Sequence, residues 1–124
     1  AEETAGAVDI FSSFGKAEVV DEKLIDAAAV SAAGPAYVYL FIEALADGAV
    51  REGMPRQMAY TFAAQTVLGQ QDGLGNGNPS GALKDAVCSP GGTTIEAVQT
   101  LEENGFRAAV MKAVSASAEK NRNL

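Results

Sequence analysis

The apolar positions recur with a helical period along most of the chain. In "RQMAYTFAAQTVLGQQ", Met58, Ala59, Phe62, Ala63 and Val67 share one face of a helix introduced by Met54-Pro55. Ala59, Ala63 and Ala64 on that helix are small enough to let a second helix approach closely. In "FRAAVMKAVSASAEKNRNL", Phe106, Ala109, Val110, Ala113 and Val114 make a buried stripe that fades after Ser115. "TAGAVDIFSSF" (4–14) reads as a short helix stopped by Gly15. "EKLIDAAAVSAA" reads as another, with Asp21 as N-cap and Leu24, Ile25 and Ala28 on one face. Gly34-Pro35 marks a boundary, with Pro35 suited to the first turn of the next helix, "PAYVYLFIEALADGAVREG".

That helix departs from the pattern. Val38, Tyr39, Leu40, Phe41 and Ile42 are apolar on every side, which suits the centre of a large core or an interface between copies. A chain of 124 residues has little room to surround a helix, so the interface reading is favoured. Further on, Glu43, Asp47 and Arg51 step along one solvated face. "KAEVV" (Lys16–Val20) alone looks β-like, and one short strand cannot make a sheet. Residues 73–81, "GLGNGNPSG", read as a connector. Their glycines do not complete G-x-G-x-x-G, and they follow a helix where the dinucleotide fingerprint needs a strand.

Composition narrows the chemistry. A single domain of this length buries roughly 65% of the surface its unfolded chain exposes. Apolar residues make up 48% of the chain, much of that alanine, so close helix approach must supply part of the core. With no His, the commonest general base and metal ligand is missing. A net charge of −7 argues against nucleic acid and against an anionic membrane surface. No apolar run approaches the ~20 residues that span a bilayer, and the acidic start is no signal peptide. One cysteine, Cys88, excludes an internal disulfide and fits a reducing compartment. The expectation is a soluble, cytoplasmic, Ala-rich all-α bundle.

The segment "CSPGGTT" (88–94) stands apart. Thr93 and Glu96 match a capping box, with Thr93 as N-cap. Ser89-Pro90-Gly91-Gly92 is left over by that reading. Two glycines can turn backbone N–H groups inward at the positive end of a helix, beside the hydroxyls of Ser89, Thr93 and Thr94. Such a site suits a small anion such as a carboxylate. On physical grounds alone the plain cap and the anion site both stand. Cys88 has no basic neighbour beside it in sequence, which argues against a nucleophile.

"LKDAVCSPGGTTIEAVQTLEENGFRAAV" resembles the signature region of the pyrroline-5-carboxylate reductases, and "DEKLIDAAAVSAAGPAYVYLFIEALADGAVREGMPR" and "AAQTVLG" resemble that family's preceding blocks in order. The resemblance covers essentially the whole chain, but only the family's C-terminal helical domain. It implies an interlocked homodimer, with dimers commonly assembling into decamers. It assigns residues 1–20 to the end of an N-terminal cofactor domain or linker, and 21–124 to dimerisation and substrate binding. Lys16–Val20 would then be a remnant strand of a Rossmann sheet outside this chain. The parent enzyme would reduce 1-pyrroline-5-carboxylate to L-proline with NAD(P)H, in proline biosynthesis, and the cofactor would sit mainly on the missing domain. The substrate carboxylate would be held by Ser89, Gly91, Gly92, Thr93 and Thr94. No catalytic residue and no metal ligand is assigned. One departure is plain: the family's Ser-Gly-Ser-Gly-Pro-Ala-Tyr is Ser31-Ala32-Ala33-Gly34-Pro35-Ala36-Tyr37 here. It keeps open an alternative, a stand-alone helical dimerisation module or a degenerate, non-catalytic relative. A start without Met favours a fragment of the reductase, which alone would be inactive.

Overall fold

Helix-forming runs punctuated by Gly and Pro give seven α-helices, and the computed structural model describes residues 1–124 apart from the side chain of Ala29. They are α1 (Glu2–Ser12), α2 (Val30–Arg51), α3 (Arg56–Leu68), α4 (Gln71–Gly75), α5 (Ser80–Ala86), α6 (Thr93–Glu103) and α7 (Phe106–Arg122). The class is all-α, as the sequence implies. No strand occurs among the described residues, and Lys16–Val20 is irregular. The chain holds nothing for that segment to pair with, which removes the remnant strand from this structure.

Three other expectations need correction. Asp21 does cap, accepting a hydrogen bond from the Lys23 N–H at 3.1 Å, but it caps a single 3₁₀ turn, Glu22–Leu24. A second 3₁₀ turn, Ala27–Ala29, follows in place of a continuous helix. Tertiary contact overrides local propensity here. The Asp26 carboxylate accepts from the Asn121 carboxamide at 2.6 Å, and the second turn packs on α7. Pro35 lies inside α2, not at its start. Gly34 removes one clash, since it has no Cβ to meet the proline ring, while the Ser31 carbonyl loses its donor and must accommodate the ring. Lastly, the 73–81 connector begins as α4, which holds Gly73 and Gly75.

The α2–α3 hairpin is the centre of the structure. Its turn is a Schellman motif: Met54 N–H donates to the Ala49 carbonyl at 3.0 Å, and Gly53 N–H to that of Val50 at 2.9 Å. Gly53 sits at φ 101, where a side chain would be strained, and Pro55 bars the helix from continuing. Above the turn, Ala46, Ala59 and Ala63 are buried against one another, with Ile42, Ala49, Val50 and Met54 packed around them. Ala64, the third small residue of the sequence reading, is exposed. α7 crosses the start of α2, where the Tyr37 hydroxyl donates to the Ala113 carbonyl at 3.3 Å and Phe41 meets Phe106 at 5.9 Å.

The rest of the apolar surface is uncovered. Among the described residues only four, all alanines, are buried: Ala46, Ala59, Ala63 and Ala118. Tyr39 is 71% exposed and Leu40 64%. The accessible surface is 9,882 Å². A folded monomer of this mass exposes about 6,200 Å². No helix is long and apolar enough to cross a membrane.

Candidate anion-binding loop

The loop between α5 and α6 is shaped by turn chemistry. α5 ends as Cys88 N–H donates to the Asp85 carbonyl at 3.1 Å. Ser89 to Gly92 then closes a β-turn, with Gly92 N–H donating to the Ser89 carbonyl at 3.0 Å. Pro90 takes the second position and Gly91 the third at φ 66, the type II arrangement. Gly92 is required for a different reason. The Ser89 hydroxyl lies over it so closely that a Cβ would overlap the oxygen, and the Ser89 carbonyl would be only 3.1 Å from it.

Gly92 is also the N-cap of α6, extended at φ −82, ψ 170. Thr93 is therefore the first helical residue, and no side chain caps the helix. The capping box of Thr93 and Glu96 does not form. Glycine is itself an acceptable N-cap, and the turn that binds the Gly92 N–H fixes the helix start one residue early. The first-turn N–H groups lack intrahelical partners by construction and carry the positive end of the helix dipole. Thr94 is half-buried beside them, while Ser89, Gly91 and Thr93 are exposed. All five residues singled out in the sequence thus belong to one turn and helix start. The Gly92 N–H, however, is already spent inside the turn.

Two cations stand on α5 and α7, Lys84 and Arg107. Lys84 is held above its ordinary pKa first by its hydrogen bond to Asp85, an effect the neighbouring Arg107 opposes. Arg107 bonds Glu102 at 2.9 Å. Residues of α5, α6 and the start of α7 border an open cleft of about 450 Å³, lined by Lys84, Val98, Leu101, Glu102, Phe106 and Arg107 and by no residue of the loop. Sequence reasoning passed over Lys84 because it is not adjacent to Cys88. The signal was the i, i+4 spacing across the end of α5, over which the Cys88 thiol acts electrostatically on Lys84.

The loop therefore presents first-turn N–H groups and hydroxyls together, the kind of donors that an anion needs. Among the described residues no group of three or more His, Cys, Asp or Glu could hold a metal ion. Gly73 and Gly75 lie in a helix that follows a helix, and a Cβ at Gly73 would press on Leu83, so these glycines form no phosphate cradle.

Residues 22–124 match the family model for pyrroline-5-carboxylate reductase dimerisation. The chain belongs to this family. It is 56% identical over 125 residues to the pyrroline-5-carboxylate reductase of Escherichia coli K12, covering 99% of this chain and 46% of that protein. The Pisum sativum reductase is 49% identical over 126 residues, with the same coverage. A crystal structure of the Plasmodium falciparum reductase with NADP bound superposes with a TM-score of 0.87 at 39% identity, over 97% of this chain and 47% of that one. The Coxiella burnetii reductase gives 0.91 at 31% identity, over 98% and 46%. The chain thus spans about half the length of the reductases it matches.

Proposed function

We propose that this chain is the dimerisation and substrate-holding part of a pyrroline-5-carboxylate reductase. The parent protein reduces the C=N bond of 1-pyrroline-5-carboxylate with NAD(P)H to give L-proline. The carrying observation is that the segment most like the family's signature folds into a turn and helix start suited to one carboxylate. The N–H groups of Thr93 and Thr94 and the hydroxyls of Ser89 and Thr94 would donate to that anion. Gly91 contributes the turn, and Gly92 the space that Ser89 fills.

Residues 21–124 form this part, and 1–20 end the domain before it. The family match begins at residue 22, whereas similarity to whole reductases runs over 99% of the chain. The nicotinamide cofactor is held mainly by that other domain, a reading supported by the glycines of residues 73–81, which form no dinucleotide fingerprint. The functional unit is a homodimer. The exposed surface exceeds that of a folded monomer by about 3,600 Å² per chain, more than the roughly 1,000–2,500 Å² per partner that obligate interfaces commonly bury. The uncovered apolar belt of α2, from Val38 to Phe41, is where a second copy would sit.

The test uses the full-length protein with 1-pyrroline-5-carboxylate and either nicotinamide cofactor. A hydrogen bond from a neutral donor to a charged group is worth roughly 1.5–3 kcal/mol. Ser89→Ala and Thr94→Ala should each raise KM by about ten- to a hundredfold, with cofactor affinity and melting temperature unchanged. If both leave KM within about twofold while lowering the melting temperature, the loop is a cap alone. A full-length dimer that binds cofactor but never reduces the substrate would instead support the degenerate relative raised by Ala32 and Ala33.

A further inference from the structure

Two Asn-Gly dipeptides occur in the chain, Asn76-Gly77 and Asn104-Gly105, and each closes the C-terminal end of a helix. This pairing carries a chemistry of its own. The deprotonated glycine nitrogen attacks the asparagine side-chain carbonyl carbon. A C–N bond forms, ammonia leaves, and a five-membered succinimide results. Water then opens the ring at either carbonyl, giving aspartate or the backbone-extended isoaspartate. Glycine favours ring closure because it has no Cβ to obstruct it.

At rest, neither site can react. Asn76 lies at φ −86, ψ 10 and Asn104 at φ −93, ψ 11. Ring closure needs the glycine nitrogen swung towards Cβ, whereas a ψ near zero sets it almost eclipsed with the asparagine's own nitrogen. Each glycine N–H is also engaged at 3.0 Å, Gly77 with the Leu74 carbonyl and Gly105 with that of Glu102. The turn must open first.

Opening is where the two sites part. Asn104 joins an eleven-residue helix to a seventeen-residue one. Its carboxamide donates to the Thr100 carbonyl at 2.8 Å, and the Glu102–Arg107 ion pair spans the turn. Asn76 ends a five-residue helix, which has little stability of its own. It is exposed, and its carboxamide has no hydrogen-bond partner among the described residues. Asn78, two residues on, precedes Pro79, which has no N–H to attack with. We infer that Asn76 is a site of spontaneous succinimide-mediated deamidation, while the fold protects Asn104. The product adds a carboxylate to a chain already at −7, and the isoaspartate form lengthens the backbone of the α4–α5 connector.

The experiment incubates the purified chain in warm, mildly alkaline buffer and follows aspartate and isoaspartate at both positions by peptide mapping. Conversion at Asn76 should outpace that at Asn104 by roughly tenfold or more, since local opening is far easier at the short helix. In denaturant the two rates should converge, because the difference lies in the fold. Equal rates in native buffer, faster conversion at Asn104, or a bias for Asn76 that persists in denaturant would each overturn the assignment.

Discussion

The α2–α3 hairpin and the α5–loop–α6 arm reach their shapes by different physics. In the hairpin, side-chain size decides: Ala46, Ala59 and Ala63 let two helices close on each other, and the turn beneath them is fixed by Gly53 and Pro55. Its outer face, Tyr39 and Leu40, has no cover within the chain. In the arm, hardly anything depends on packing. The turn at Ser89–Gly92 is set by one hydrogen bond, one proline and one positive φ, all within four residues. The arm can therefore hold the geometry of its loop locally, whereas the hairpin leaves an apolar face that calls for a second copy.

The sharpest way to break this contrast is Leu40→Asp. An unpaired charge placed in a covered apolar face costs several kcal/mol. The chain should lose its dimer or its fold, visible by light scattering and circular dichroism. A variant that stays dimeric and as stable as the parent would show that the outer face of α2 is not the interface.

Gly92→Ala tests the arm by the opposite route, with the fold retained. The added Cβ meets the Ser89 hydroxyl, so the turn must distort or the serine must rotate away. In the full-length protein KM should rise at least as much as in Ser89→Ala, while the melting temperature falls by only a few degrees. Adding Ser89→Ala removes the obstructing oxygen. The double variant should therefore lose less than the sum of the singles, with a coupling of about 0.5–3 kcal/mol. Strict additivity would mean that the two residues do not share the geometry described.

The smallest effect is expected at Thr93. As an N-cap its replacement by Ala would cost about 1 kcal/mol. As the first helical residue with no capping bond, Thr93→Ala should change stability by no more than about 0.5 kcal/mol. Thermal melts separate the two.

How much of this was legible depended on whether local rules competed. The helices of the hairpin and α7 were readable as helices because apolar period, proline starts and glycine stops agree, but the stripe read as buried on α7 leaves Phe106, Ala109 and Val110 exposed within the chain. The loop was readable as a turn because Pro-Gly-Gly leaves few other choices. The helix start was misplaced by one residue because Gly92 and Thr93 are both acceptable caps, and only the hydrogen bond to Ser89 decides between them. Pro35 pointed to a helix start, but it lies inside α2, where Gly34 relieves one of the two clashes a proline brings. Lys16–Val20 has β-like residues and no partner, a fact about the rest of the chain rather than the segment. The Asp26–Asn121 contact joins residues 95 apart, and no local pattern announces it.

The alanine seam has a consequence for temperature. Alanine loses no side-chain rotamer freedom on burial, but it also removes little apolar area from water. Many large apolar side chains lie instead on faces that nothing within the chain covers, Tyr39 and Leu40 among them, where a second copy would sit and bury them. That burial weakens on cooling and depends on concentration by mass action. Cold and dilution therefore act in the same direction on this fold, and a chilled, dilute solution is where the assembled state is least secure.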